Sequence, residues 1–149
     1  MTRSPEQRKS DALAKLTASG ANVWVASASP AGVVHLVPVS HTWNGSQVVL
    51  ATEPTSRTVT NATANRRVRL ALGDTRDVVT IDANLVETVP KSEAPANLAD
   101  AYSTQAGWDP RAEADDYVYL VLAPERVEVW KEGEDLTGRT VMRDGTWVI

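Results

Sequence analysis

A small antiparallel β-barrel, mainly β with short helices appended, is the fold this sequence predicts, and three features predict it. About six or seven short segments rich in β-branched residues recur along the 149 residues, separated by tight-turn sequences. One of them, residues 33–42, is apolar on both of its faces, which an open sheet with one wet face does not accommodate. Helical patterns are few and short and do not alternate strand by strand as βαβ units would. With 42% hydrophobic residues the chain is long enough for one core and too short for two, so a single domain over residues 1–149 is expected.

A helix over about residues 5–19 opens the chain. Ser4 is a natural N-cap, Pro5 suits the first helical position, and Gln7 stands where a capping box wants an amide. Ala12, Leu13 and Leu16 give a modest apolar stripe, enough to plug one end of a larger body, and Gly20 stops the helix. Residues 22–28 alternate as a strand, and Ser29-Pro30-Ala31-Gly32 turns the chain into the strand 33–42. There Val33, His35, Val37, Val39 and His41 share one face, and Val34, Leu36, Pro38, Ser40 and Thr42 the other. Pro38 has no N–H for a ladder, so it belongs on an edge or a bulge, where neighbouring backbone is free to face a ligand. A doubly apolar strand implies barrel closure or a subunit interface.

Asn44-Gly45 reads as a hairpin turn and residues 47–52 as the returning strand. The polar run 53–57 then opens a helix to about residue 65. A strand follows at 68–72, with Val68, Leu70 and Leu72 inward and Arg69 outward, then a turn at 73–76 and a long strand at 78–89 whose alternation shifts phase near Val86, as at a bulge. Residues 92–106 are helical, with Leu98 and Tyr102 on one face and Gly107 as the stop; residues 108–116 read as a polar surface loop. A strand at 117–130, broken at Pro124-Glu125, and a terminal hairpin around Asp144-Gly145 complete the chain.

Composition removes several classes of function. The absence of cysteine excludes disulfide frameworks, thiolate metal sites and a thiol nucleophile, and suits a reducing compartment. A net charge of -4 lacks the footprint of a nucleic-acid partner, and no apolar run approaches a signal or membrane segment, so a cytoplasmic protein with no membrane partner is expected. No nucleophile elbow, phosphate loop or dinucleotide fingerprint is present. Two histidines without a carboxylate pattern make no metal centre, and the adjacent Asp115 and Asp116 point apart rather than forming a hydrolytic pair. Trp43 and Trp130 either pack in core and interface or border a ring-shaped ligand.

Two features admit a functional reading beside a plain one. Residues 54–73 hold four arginines (Arg57, Arg66, Arg67, Arg69) and no carboxylate, either a solvated surface or an anion-binding patch. Thr52, Ser56 and Arg57 stand at a helix start, where hydroxyls cap the helix and the same free N–H groups attract an anion. His35 and His41 are either core residues or proton donors near neutral pH. No catalytic side chain is assigned.

The ordered series of an H-L-V-P-V strand, W-N-G turn, A-T strand, S-R-T-V-T-N helix and R-V-R-L-A-L strand resembles the pyridoxamine 5'-phosphate oxidase-like split β-barrel superfamily, and within it the actinobacterial branch that binds flavins or the deazaflavin coenzyme F420. The resemblance runs over residues 22–81 and more loosely through 124–130. It implies a split barrel (FMN-binding split barrel-like), homodimeric, with a cofactor in a groove between subunits, and an oxidoreductase role: hydride transfer from reduced coenzyme F420, with FMN as second choice, to a small conjugated substrate. Carried over by position, Val37, Pro38, Val39 and Ser40 would line the ring, Ala51 and Thr52 would lie near the ribityl chain, and Ser56, Arg57 and Asn61 would hold the phosphate. Arg76 would reach in from the partner. One position departs from the pattern: the lysine common three residues before the asparagine is here Thr58, with Arg57 beside it to compensate. The alternative is a non-catalytic split-barrel dimer that binds a cofactor, haem included, or has none.

Overall fold

The computed structural model describes residues 2–149. Helix α1 (Pro5–Thr17) begins where the sequence says, with the Ser4 hydroxyl accepting the Gln7 N–H at 3.1 Å. It ends two residues earlier than expected, because the chain turns extended at Ala18 and reserves the left-handed φ of 70° for Gly20. Strands β1 (Asn22–Ala28), β2 (Val34–Trp43) and β3 (Val48–Thr52) follow, then α2 (Arg57–Asn65), β4 (Arg67–Asp74), β5 (Asp77–Pro90), α3 (Ala96–Ala106) and β6 (Val118–Lys131), with β7 (Thr140–Arg143) and β8 (Thr146–Trp147) at the end.

The first six strands form an antiparallel barrel in the order β3-β2-β1-β4-β5-β6, closed by β6 pairing back onto β3, while β7 and β8 extend the sheet beyond β6 as a short hairpin. β6 does this by serving two neighbours: its first half, residues 118–122, lies between β3 and β5, and its second half lies between β5 and β7. The expected break at Pro124-Glu125 is a bulge instead. Ala83 faces Pro124 and Asp82 faces Arg126, which leaves Glu125 as the extra residue in a continuous strand. The phase shift near Val86 is a second bulge, between Leu85 and Glu87.

Inward residues of every barrel strand, among them Val25, Leu50, Leu70, Ile81, Leu120 and Leu122, fill the core, and Ala12 and Leu16 of α1 close one end of it. A second cluster lies outside the barrel wall, where α3 lays Ala99 and Tyr102 over Val49, Ala51, Tyr119 and Val121. Trp108 joins this cluster edge-on to Tyr102 and Tyr117, and Pro110 is buried, so the first half of the expected surface loop is packed structure.

The N-terminal arm is fastened by charge. Arg8, on the apolar side of α1, is buried; it donates to the carbonyls of Val129 and Thr137 and lies 3.1 Å from Asp135. Asp135 also accepts from the backbone and guanidinium of Arg3 and from the Lys131 N–H. Burial pushes the Asp135 carboxyl up, but these donors outweigh it and bring its pKa down to about 2.

Candidate functional site at the barrel split

β2 changes partner part-way along its length. Residues 34–40 pair with β1, from Ala28↔Val34 to Asn22↔Ser40, whereas only His41, Thr42 and Trp43 pair with β3. β3 then diverges, and Ala51 and Thr52 pair with Tyr119 and Val118 of β6. The barrel is thus split along residues 34–40, whose second edge has no strand beside it. Pro38 sits on this half of the strand, where a missing N–H costs nothing. The expectation of an edge position for Pro38 holds.

The start of α2 stands beyond the divergence. Ser56 is its N-cap, accepting from the Val59 N–H at 3.3 Å, and Thr52 donates to the Ser56 hydroxyl at 3.4 Å. Arg57 is exposed and its guanidinium has no hydrogen-bond or ion-pair partner among the described residues. The other arginines of the 54–73 patch do not share this freedom. Arg66 donates to the Leu85 carbonyl, Arg67 pairs with Glu125 at 3.0 Å, and Arg69 grips Asp82 across the β4–β5 ladder. The broad anion patch read from the sequence therefore contracts to Arg57, because later residues meet the other three: Asp82 opposite Arg69 in register, Glu125 of β6 against Arg67, and the Leu85 carbonyl against Arg66.

The remaining candidate residues fall into separate places. Val37 and Val39 are half-buried on the barrel side of β2, and Pro38 is exposed opposite Trp24. Ser40 is committed: its hydroxyl accepts from the Trp108 indole N–H at 2.6 Å and lies 3.1 Å from the Tyr102 hydroxyl. Ala51 is buried beneath α3. Asn61 faces inward and donates to the Ser27 hydroxyl, fastening α2 to β1. Thr58 is 1% exposed, so the position where a lysine is common points into the protein. Arg76 lies at the opposite end of the long β5–β6 ladder, paired with Glu132 at 3.1 Å. Thr52, Ser56 and Arg57 are brought together; Ser40, Ala51 and Asn61 contribute packing; Arg76 is remote within the protomer.

Of the two histidines, His41 is a core residue. Burial, opposed by hydrogen bonding to the Leu16 carbonyl at 2.9 Å, pushes its pKa below the ordinary value, so it is neutral at pH 7 and sealed from solvent. His35 is half-buried on the same face nearer the split. A concavity of about 530 Å³ lies next to the split rather than in it, over Ala26, Ala28, Val34, Asn65 and the paired Arg69 and Asp82. Sequence reasoning missed the three side chains that meet β2 where it changes partner, Tyr102, Gln105 and Trp108; the i, i+3 spacing of the first two on α3 is the signal it had.

A barrel split beside a capped helix with a free arginine coincides with a family profile: that of pyridoxamine 5'-phosphate oxidase matches residues 10–131. The chain belongs to that family. Among solved structures, an F420 reductase superposes with a TM-score of 0.59 at 18% identity, over 76% of this chain and 94% of that one. HupZ from Group A Streptococcus gives 0.58 at 17% identity, over 76% and 87%. PhzG from Burkholderia lata, in complex with tetrahydrophenazine-1-carboxylic acid, gives 0.58 at 15% identity, over 95% and 87%. At these identities the likeness is one of fold. No curated protein matches the sequence. No described helix is long and apolar enough to cross a membrane.

Proposed function

We propose that this member of the pyridoxamine 5'-phosphate oxidase family is an oxidoreductase that uses reduced coenzyme F420, with FMN as second choice, to transfer a hydride to a small conjugated substrate. The observation that carries the reading is the open edge of β2 together with Arg57 at the start of α2, a cation with no partner of its own among the described residues. A planar ring with polar atoms on its rim fits a strand edge whose N–H and C=O groups lack a ladder, and a phosphate fits the start of α2, where Arg57 adds a bidentate donor. Membership in an F420-using actinobacterial branch is part of the same proposal, and an F420 reductase shares the fold.

Val37, Pro38 and Val39 would line the ring, and Thr52, Ser56 and Arg57 would hold the phosphate arm. The cofactor, when bound, supplies the hydride chemistry itself, so this chain's contribution is to orient, to set the electrostatics and to exclude water. Water exclusion needs a second body, because the outer face at the split is bare. Val34 is 82% exposed, Leu36 60% and Trp24 50%, and they adjoin one another across the β1–β2 ladder. Such a contiguous apolar face marks an interaction surface. The partner in this reading is a second copy of the chain, forming a homodimer whose groove holds the cofactor.

The buried Thr58 favours a second reading, a split-barrel dimer that binds a cofactor without catalysis or has lost it. The deciding experiment is mass spectrometry of the small molecule released when the protein, purified from an actinobacterial host that makes both cofactors, is denatured. Release of F420 is the expected result; release of FMN selects the second cofactor. No release, together with no binding of either on titration, overturns the proposal.

A further inference from the structure

The ladder between β2 and β3 stops abruptly. The last matched pair is His41↔Leu50, and the next step, Ser40 against Ala51, is not made although both strands continue. Tyr102 of α3 occupies that step. Its hydroxyl donates to the Ser40 carbonyl at 3.0 Å, and the Ala51 backbone N–H lies against the same hydroxyl. The ring is fully buried and wedged edge-on between Trp108 and Tyr119, at centroid distances of 5.9 and 5.5 Å. One turn further along α3, Gln105 serves the other edge of β2, accepting the Trp43 N–H at 2.8 Å and donating to the Leu16 carbonyl.

We infer that the Tyr102 hydroxyl is the wedge that ends the β2–β3 ladder and holds the barrel split open, making Tyr102 a positioning residue for the exposed edge of β2. The hydroxyl stands where the missing strand pair would be, donating to the Ser40 carbonyl and facing the Ala51 N–H, so these two backbone groups keep a polar neighbour where the strands part. The bulk of the ring prevents the strands from closing. Where the edge lies, and hence where a planar ligand along it would lie, is set from outside the barrel by α3. The ligand part of this inference rests on the proposed cofactor reading; the wedge does not.

Tyr102→Phe tests it, because the ring and its packing are kept and only the hydroxyl is lost. Amide hydrogen exchange at Ala51 in the unliganded protein is expected to accelerate about tenfold or more, the equivalent of one hydrogen bond, while Ile81 and Leu120 in the core stay protected. Ser40→Ala, which removes the side chain but keeps the carbonyl, is expected to leave Ala51 exchange unchanged. Unchanged exchange at Ala51 in Tyr102→Phe overturns the wedge. On titration with F420 and FMN, the cofactor that wild type binds should bind the variant about tenfold more weakly and with a shifted absorption maximum. Faster exchange with wild-type affinity and spectrum overturns the positioning role. If wild type binds neither, the cofactor reading fails on its own and exchange at Ala51 alone decides the wedge.

Discussion

The two ends of the barrel treat their arginines in opposite ways. At the closed end Arg8 is buried and saturated by two carbonyls and Asp135, and Arg3 is held by Asp11 and Asp135. At the split end Arg57 stands exposed on the first turn of α2, its guanidinium without a partner among the described residues, and residues 34–39 of β2 have a strand on one side only. A guanidinium whose donors are all satisfied within the chain contributes to folding and can do little else. One whose donors face solvent beside unpaired backbone contributes almost nothing to folding and is available to an anion. The difference assigns stability to one end and binding to the other, and each substitution below can break that assignment.

The largest effect is expected at the closed end. Asp135→Asn leaves Arg8 charged and buried without its counter-ion, a loss on the order of 3–5 kcal/mol that urea unfolding will read. A change below about 1 kcal/mol would mean that the arm is not fastened as described. The same residue sets a pH dependence. Its folded pKa, about 2, is below the ordinary carboxylate value, so its contribution is present above about pH 4 and is lost as pH falls through 2. Wild type should therefore lose stability over that window more steeply than Asp135→Asn does.

The next effect belongs to the bare face near the split. Leu36→Glu sets an unpaired carboxylate where a second copy is proposed to sit, and the dimer should weaken by roughly 100-fold, about 3 kcal/mol, in analytical ultracentrifugation. Folding should be unaffected because Leu36 already faces solvent. A wild-type protein that is monomeric at micromolar concentration would remove the shared groove altogether.

Arg57→Ala then separates the two ends directly. Cofactor affinity should fall by about 1.5–3 kcal/mol, the range for a charged hydrogen bond, while the unfolding midpoint stays within about 0.5 kcal/mol of wild type. The opposite pattern, lost stability with affinity unchanged, would place Arg57 in the same class as Arg8.

What the sequence made legible here is what neighbouring residues decide. The Ser4 and Ser56 caps, the Asn44-Gly45 turn, the Gly107 stop and the bulge at Val86 are all properties of a few consecutive residues, and each stands in the structure as expected. The open edge at Pro38 was legible for the same reason, since a proline inside an apolar strand admits few positions. Long-range pairings were not. Arg8 reads as a solvent-facing residue on a weakly amphipathic helix until Asp135 is brought against it. The arginines at 66–69 read as an unopposed patch until the β4–β5 register sets Arg69 against Asp82. Tyr102 reads as a helix core residue, and nothing local links it to Ser40, 62 positions earlier in the chain. The candidate site was legible as a set of positions on one strand and one helix start, while the side chains that shape it come from α3.

The smallest effect should be at Arg76, and it tests the comparison from the opposite side. Arg76 is exposed at the turn before β5, far along the ladder from the split, and its pairing with Glu132 is between two solvent-facing side chains. Such a pair contributes about 0–1 kcal/mol, so Arg76→Ala should leave both stability and cofactor affinity within about 0.5 kcal/mol of wild type. Within one protomer no other outcome is consistent with its position. A clear loss of affinity at unchanged stability would therefore have one structural source, a second copy carrying its β4–β5 turn into the groove of the first. A charge that is surface decoration on its own chain would then be a ligand contact on its partner's.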